Sequence, residues 1–162
     1  MTKIISAFPG TGKSFYHKKF PNDTLDSDSS NFSWIKDEVG NNTKERNPEF
    51  PKNYIEHIKS NIGKYKYIFV SSHKEVRDAL LESFIFFYIV YPDKGRKEEF
   101  IKRYKERGNP EGFIKLVSDN WESWINELSS LDKGCEKICM VLDNLEDELN
   151  HLERIEYGEV LD

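Results

Sequence analysis

Ala7-Phe-Pro-Gly-Thr-Gly-Lys13-Ser14 decides how this chain is read. The stretch leading into it, Thr2 to Phe8, has the apolar run of a short buried strand, and Lys13 to Phe20 begins a helix. A glycine-rich turn between a strand and a helix has a definite physical use. Gly10 and Gly12 permit tight backbone turns and let main-chain N–H groups approach an anion closely. The start of the helix behind them carries the same polarity. Lys13 is then placed to reach the β- and γ-phosphates of a nucleoside triphosphate, and the Ser14 hydroxyl to hold Mg2+. Pro9, Gly10, Thr11, Gly12, Lys13, Ser14 and Phe15 are the expected nucleotide contacts. Ala7 stands where the usual pattern has glycine, an exchange that is tolerated if this position does not need a positive φ.

Next along the chain, Thr24 to Asp26 reads as a second short strand running into Leu25-Asp-Ser-Asp-Ser-Ser30. Two carboxylates two residues apart at a strand's end lie on the same side, near the edge where ligands of α/β sheets gather. Asp26 suits a role in orienting the metal or its waters. Asp28 suits positioning a phosphoryl acceptor and, if that acceptor is a hydroxyl, taking its proton. The same residues also make an ordinary solvated turn.

Further out, strands are expected at Tyr67 to Ser71, Phe84 to Tyr91 and Lys137 to Leu142. Helices are expected at Pro51 to about Ile62, His73 to Glu82 with Ser72 as N-cap, Arg96 to Arg107, Glu111 to about Leu131, and Leu145 to Ile155. Asn31 to Pro51 is rich in Asn, Pro and Gly and reads as a long excursion. Strands alternating with helices predict one α/β domain over residues 1–162, its parallel sheet covered on both faces. In the Arg96–Arg107 helix, Arg96, Phe100, Arg103 and Arg107 fall within about 60° of one another. That stripe is either a solvated face or a phosphate-facing one. The Trp121 and Trp124 stripe reads as core.

The 162 residues fit one domain, and a 14% aromatic share with 11 Phe, 8 Tyr and 3 Trp means that rings fill much of the core. A formal charge of −5 argues against a polymeric nucleic-acid partner. The longest apolar run is strand-sized, so no membrane partner is expected, and a strand directly after Met1 leaves no room for a signal peptide. A cytoplasmic location is expected, with Cys135 and Cys139 as buried, reduced thiols in preference to a disulfide or a metal pair.

With its phosphate loop followed by Leu25-Asp-Ser-Asp28, the chain resembles the small P-loop kinases that include nucleoside monophosphate kinases and shikimate kinase. It looks closest to small phage proteins described as deoxynucleoside monophosphate kinase-like. Ser27-Asp-Ser-Ser-Asn-Phe-Ser-Trp34, Asn47-Pro-Glu-Phe-Pro51 and Phe69-Val-Ser-Ser-His73 add to the likeness, which covers the chain to about Leu142. The resemblance implies a three-layer α/β/α sandwich with a five-stranded parallel sheet in the order 2-3-1-4-5. It also implies Mg-ATP as donor, a nucleotide-like small molecule as acceptor, and two flaps that close over them. If the chain is phage-encoded, the compartment is the host cytoplasm. The lid falls at about 94–110, where Arg96 meets the nucleotide and Arg103 and Arg107 balance charge on the transferring group. The acceptor excursion falls at about 31–54. There Trp34, Phe50 or Tyr54 either stacks on a base or packs in the core, and Arg46 and Arg77 are placed for an acceptor phosphate. His73 either lines the cleft or caps a helix. No apolar strand ends in the Asp of a Walker B motif, so the metal falls to Ser14 with Asp26. Three functions follow from these residues: a nucleoside monophosphate kinase, a kinase of a hydroxyl acceptor such as a nucleoside or a modified base in DNA, or a nucleotide-binding module without transfer.

Overall fold

A computed structural model of the protein describes residues 1–158. In chain order its elements are β1 (Lys3–Ala7), α1 (Lys13–Lys19), β2 (Thr24–Asp26), α2 (Ser30–Ser33), β3 (Trp34–Lys36), β4 (Asn42–Arg46), α3 (Lys52–Asn61) and β5 (Tyr67–Ser71). There follow α4 (Lys74–Glu82), β6 (Phe87–Pro92), a short 3-10 turn (Lys94–Arg96), α5 (Lys97–Glu106), α6 (Glu111–Ser129), β7 (Cys135–Met140) and α7 (Leu145–Glu156).

Ile4, Ile5, Ile68, Phe69, Val70, Ile89 and Val90 are all buried, so β1, β5 and β6 have both faces covered. These strands form the centre of a five-stranded, wholly parallel sheet in the spatial order β2-β5-β1-β6-β7. Helices flank it, as an α/β chain requires to bury both faces. β3 and β4 form a separate antiparallel pair. The 31–51 excursion is thus not wholly irregular: its turn is closed by the Asp37 carboxylate, which accepts from the Val39 and Asn41 amides. Among the described residues no helix is long and apolar enough to cross a membrane.

The fourth strand of the sheet, β6, begins later than its apolar run. β6 starts at Phe87, whereas Phe84 is 97% exposed and has φ +56°. The cause is the end of α4. Ile85 N–H donates to Leu80 O and Phe84 N–H to Leu81 O, which is a Schellman closure with Phe84 in the left-handed position that glycine usually fills. At the other end of α4, His73 rather than Ser72 is the N-cap residue, and its carbonyl accepts the first helical bond from Arg77. The last strand is likewise earlier than expected, at Cys135–Met140 rather than Lys137–Leu142. It ends where the buried Glu148 carboxylate accepts from the Val141 and Leu142 amides, each at 2.8 Å. Cys135 and Cys139 are free thiols, as expected, but they are not buried: Cys135 is partly exposed and Cys139 exposed on this edge strand. Four residues of extended chain hold them roughly 13 Å apart, beyond the reach of a disulfide.

Candidate functional site

The C-terminal ends of β1, β2 and β5 are neighbours, so parallel pairing brings three loops to one edge of the sheet. The first is the glycine loop. Ala7 is the last residue of β1, in register with Ser71 and Val90, and it has no positive φ, which explains why alanine suffices there. Gly10 and Gly12 do take left-handed conformations, with φ +84° and +109°. Gly10 could not be replaced without movement, since a Cβ there would lie 2.7 Å from Tyr104 Cε1. Tyr16 N–H donates to Gly12 O, but the five amides from Gly10 to Ser14 have no protein acceptor among the described residues. Consecutive free N–H groups around left-handed glycines form an anion-binding concavity.

The loop is braced from behind. Tyr104 Oη donates to Pro9 O at 2.7 Å, and Arg103 donates to Gly10 O at 3.0 Å and to Asp143 O at 2.5 Å. Leu145 N–H donates to Thr11 O at 2.8 Å, which ties the start of α7 to the loop. Thr11 itself is fully buried. A further contact, Lys19 with Glu146 at 2.7 Å, joins the end of α1 to α7.

The second loop carries the carboxylates. Ser14 Oγ donates to Asp26 Oδ2 at 3.1 Å, so the hydroxyl and carboxylate expected to serve a metal lie side by side. Asp28 Oδ1 accepts from Ser30 N–H at 2.9 Å. Ser71 Oγ donates to Ser29 Oγ at 2.9 Å and so holds this loop to the third one, while Ser6 Oγ of β1 donates to Ser71 O at 3.0 Å. The buried Tyr54 adds a 2.6 Å bond from its hydroxyl to Ser27 O.

Two cavities open at this edge. The larger, of about 770 Å³, is lined by the glycine loop with Lys13, Ser14 and Phe15, by Asp26 and Asp28, and by Arg103 and Arg107 of α5 and its end. The smaller, of about 370 Å³, is lined by Trp34, Arg46, Phe50 and Glu75. Asp28 and His73 line both, and so stand at the junction. Burial pushes the Lys13 ammonium below its ordinary value; Asp26 and Asp28 pull it back, and Arg107 pushes it further down. Burial likewise lowers the His73 imidazole, with Lys13 adding to the effect and Asp28 opposing it. Burial and Lys13 both favour the uncharged imidazole.

Most expected site residues converge here, but three do not. Tyr54 is fully buried with its ring beside Phe32 and Phe50, so it positions Ser27 and presents no face to a ligand. Arg77 is buried too, donating to Ser72 O and to Glu127 at 2.8 Å. Arg96 lies away from both cavities: it donates to the Met140 and Leu142 carbonyls and pairs with Glu99 at 2.6 Å. The arginine stripe of α5 is thus divided, with Arg96 closing the end of β7, Arg103 bracing the glycine loop and Arg107 alone free of an ion pair among the described residues. Trp34 is partly exposed at the smaller cavity, where the Arg46 guanidinium lies 5.3 Å from its ring centroid and 5.3 Å from that of Phe50. Trp121 is core, as its helical spacing predicts. Sequence reasoning missed Tyr104, Glu75 and Asn109. Tyr104 was detectable in principle, one turn beyond Phe100 on the buried face of α5; the other two carried no local signal.

No protein-family model matches the chain, and no curated protein matches it.

Proposed function

We propose that this chain is an ATP-dependent phosphotransferase of the P-loop kinase type, moving the γ-phosphate of Mg-ATP to a small nucleotide- or nucleoside-like acceptor. One observation carries the reading: the amides of Gly10 to Ser14 have no protein acceptor among the described residues, and Gly10, Gly12, Lys13 and Ser14 line a cavity large enough for a nucleotide. The sheet supports it as well, because its five strands, numbered along the chain, stand in the order 2-3-1-4-5 that the resemblance implies.

In this reading the loop amides and Lys13 bind the β- and γ-phosphates. Arg107, which has no competing ion pair, faces the charge that develops on the transferring group. Asp28, at the junction of the cavities, positions the acceptor. The acceptor oxygen attacks the γ-phosphorus, the bond to the β–γ bridging oxygen breaks, and ADP leaves. The metal fit is good for Mg2+. The chain offers one hydroxyl and one carboxylate, Ser14 and Asp26, and no cluster of three His, Cys, Asp or Glu among the described residues. Mg2+ typically takes few protein oxygens and keeps phosphate and water ligands. When bound, it screens the charge of the triphosphate oxygens.

Lys13→Ala tests the assignment. Acceptor-dependent ADP release should fall by at least about a hundredfold, with the thermal midpoint and circular dichroism unchanged. A fully active variant defeats the assignment. ATP binding with no ADP release for any acceptor identifies a binding module instead.

A further inference from the structure

The charge lining the smaller cavity bears on what it accepts. A monophosphate acceptor brings a charge of about −1.5 to −2 at pH 7 and needs cations that are free to meet it. The larger cavity offers Lys13, Lys18, Arg103 and Arg107. In the smaller one Arg46 is the only cation among the described lining residues, and it is already paired with Glu75 at 2.9 Å and laid over two rings. Arg77, the other arginine expected to meet an acceptor phosphate, is buried against Glu127. Burial favours the uncharged form of His73. A phosphate monoester there would face Asp28 and Glu75 without an uncommitted cation, and like-charge juxtaposition rejects a ligand strongly.

What the cavity offers instead is neutral. Ser30 and Ser33 line it, and Trp34 and Phe50 present aromatic surface. We infer that the acceptor is an uncharged hydroxyl compound of nucleoside size, not a phosphate monoester, received in the cavity bounded by Asp28, Trp34, Arg46, Phe50 and Glu75. The inference rests on the phosphotransferase reading and selects its acceptor class. The acceptor's hydroxyl oxygen bonds to the γ-phosphorus as the bond to the bridging oxygen breaks. ADP leaves with that electron pair, and the hydroxyl proton passes to the Asp28 carboxylate and on to solvent. The products are a phosphate monoester and ADP.

The test pairs each of the four common deoxynucleosides with its 5′-monophosphate. ADP release from Mg-ATP is measured for all eight, and calorimetry measures their binding to protein saturated with a non-hydrolysable Mg-ATP analogue. At least one nucleoside is expected to turn over with kcat/KM about tenfold or more above its monophosphate, and Glu75→Lys to erase that gap. Preference for the monophosphates overturns the inference while leaving the phosphotransferase standing. No ADP release, with nucleosides still binding more tightly than monophosphates, removes the phosphotransferase reading but upholds the cavity's neutral-ligand preference. Binding of none of the eight overturns the assignment of the cavity.

Discussion

At Gly10 two constraints coincide: φ is +84°, and the space a side chain would take is filled by Tyr104. Gly10→Ala should therefore destabilise the fold by about 1–3 kcal/mol and, on the proposed function, weaken ATP binding, both readable by denaturant titration with and without Mg-ATP. An unchanged variant would mean that the brace behind the loop is loose. Phe84 poses the opposite case. It occupies the left-handed closing position of α4 with its ring almost wholly in solvent, so the strain is not offset by burial. Phe84→Gly should raise stability by about 0.5–1 kcal/mol, the relief of strain being partly cancelled by the greater freedom of glycine in the unfolded chain. A lower urea midpoint would show that the ring makes contacts worth more than the strain.

Among the elements, α3 bears on the candidate site without touching its cavities. Tyr54 reaches from it to the Ser27 carbonyl, next to Asp28, and burial pushes the Tyr54 hydroxyl well above its ordinary value, so it stays a donor across the accessible pH range. Tyr54→Phe removes that donor and leaves a buried carbonyl short of a partner. The expected cost is about 1–2 kcal/mol of stability, and about tenfold in turnover because the Asp28 loop loses its anchor. Turnover at the wild-type level with reduced stability would make Tyr54 a purely structural residue. α5 acts similarly on the glycine loop through Arg103 and Tyr104, which is why an arginine stripe legible as a lid is in part a brace.

Across the whole molecule, α7 straps the sheet at its far edge as well as the loop at its near one. Burial raises the Glu153 carboxyl, but hydrogen bonds from Lys66 and Tyr67 outweigh it and hold the group below its ordinary 4.5. Glu156 is held below the same value first by its bond to Lys3, against burial and with help from Tyr88. Both folded-state values are depressed, so this stabilisation is whole above about pH 4.5 and is lost as pH falls through the lower folded values. Urea midpoints measured between pH 7 and 3 should fall less steeply in a Glu153→Gln, Glu156→Gln variant than in the wild type. Parallel slopes would show that other carboxylates govern acid unfolding.

What the sequence determined by itself was local: the runs of apolar residues behind the central strands, the helical spacing that buries Trp121, and the glycine pattern of Gly10 and Gly12. Each depends on neighbours within a few residues, where periodicity and φ preference act. The boundaries of β6 failed because a helix-closing motif captured Phe84 and Ile85, whose side chains look like strand. The fates of the arginines were decided only in three dimensions. Arg77 meets Glu127, Arg96 meets Met140 and Leu142, and Arg103 meets Gly10 and Asp143, all between 40 and 93 residues away along the chain. A guanidinium on an amphipathic helix looks the same whether it will face a ligand or a carbonyl. Sheet pairing places those carbonyls, and so it decides which charges remain free for a phosphate.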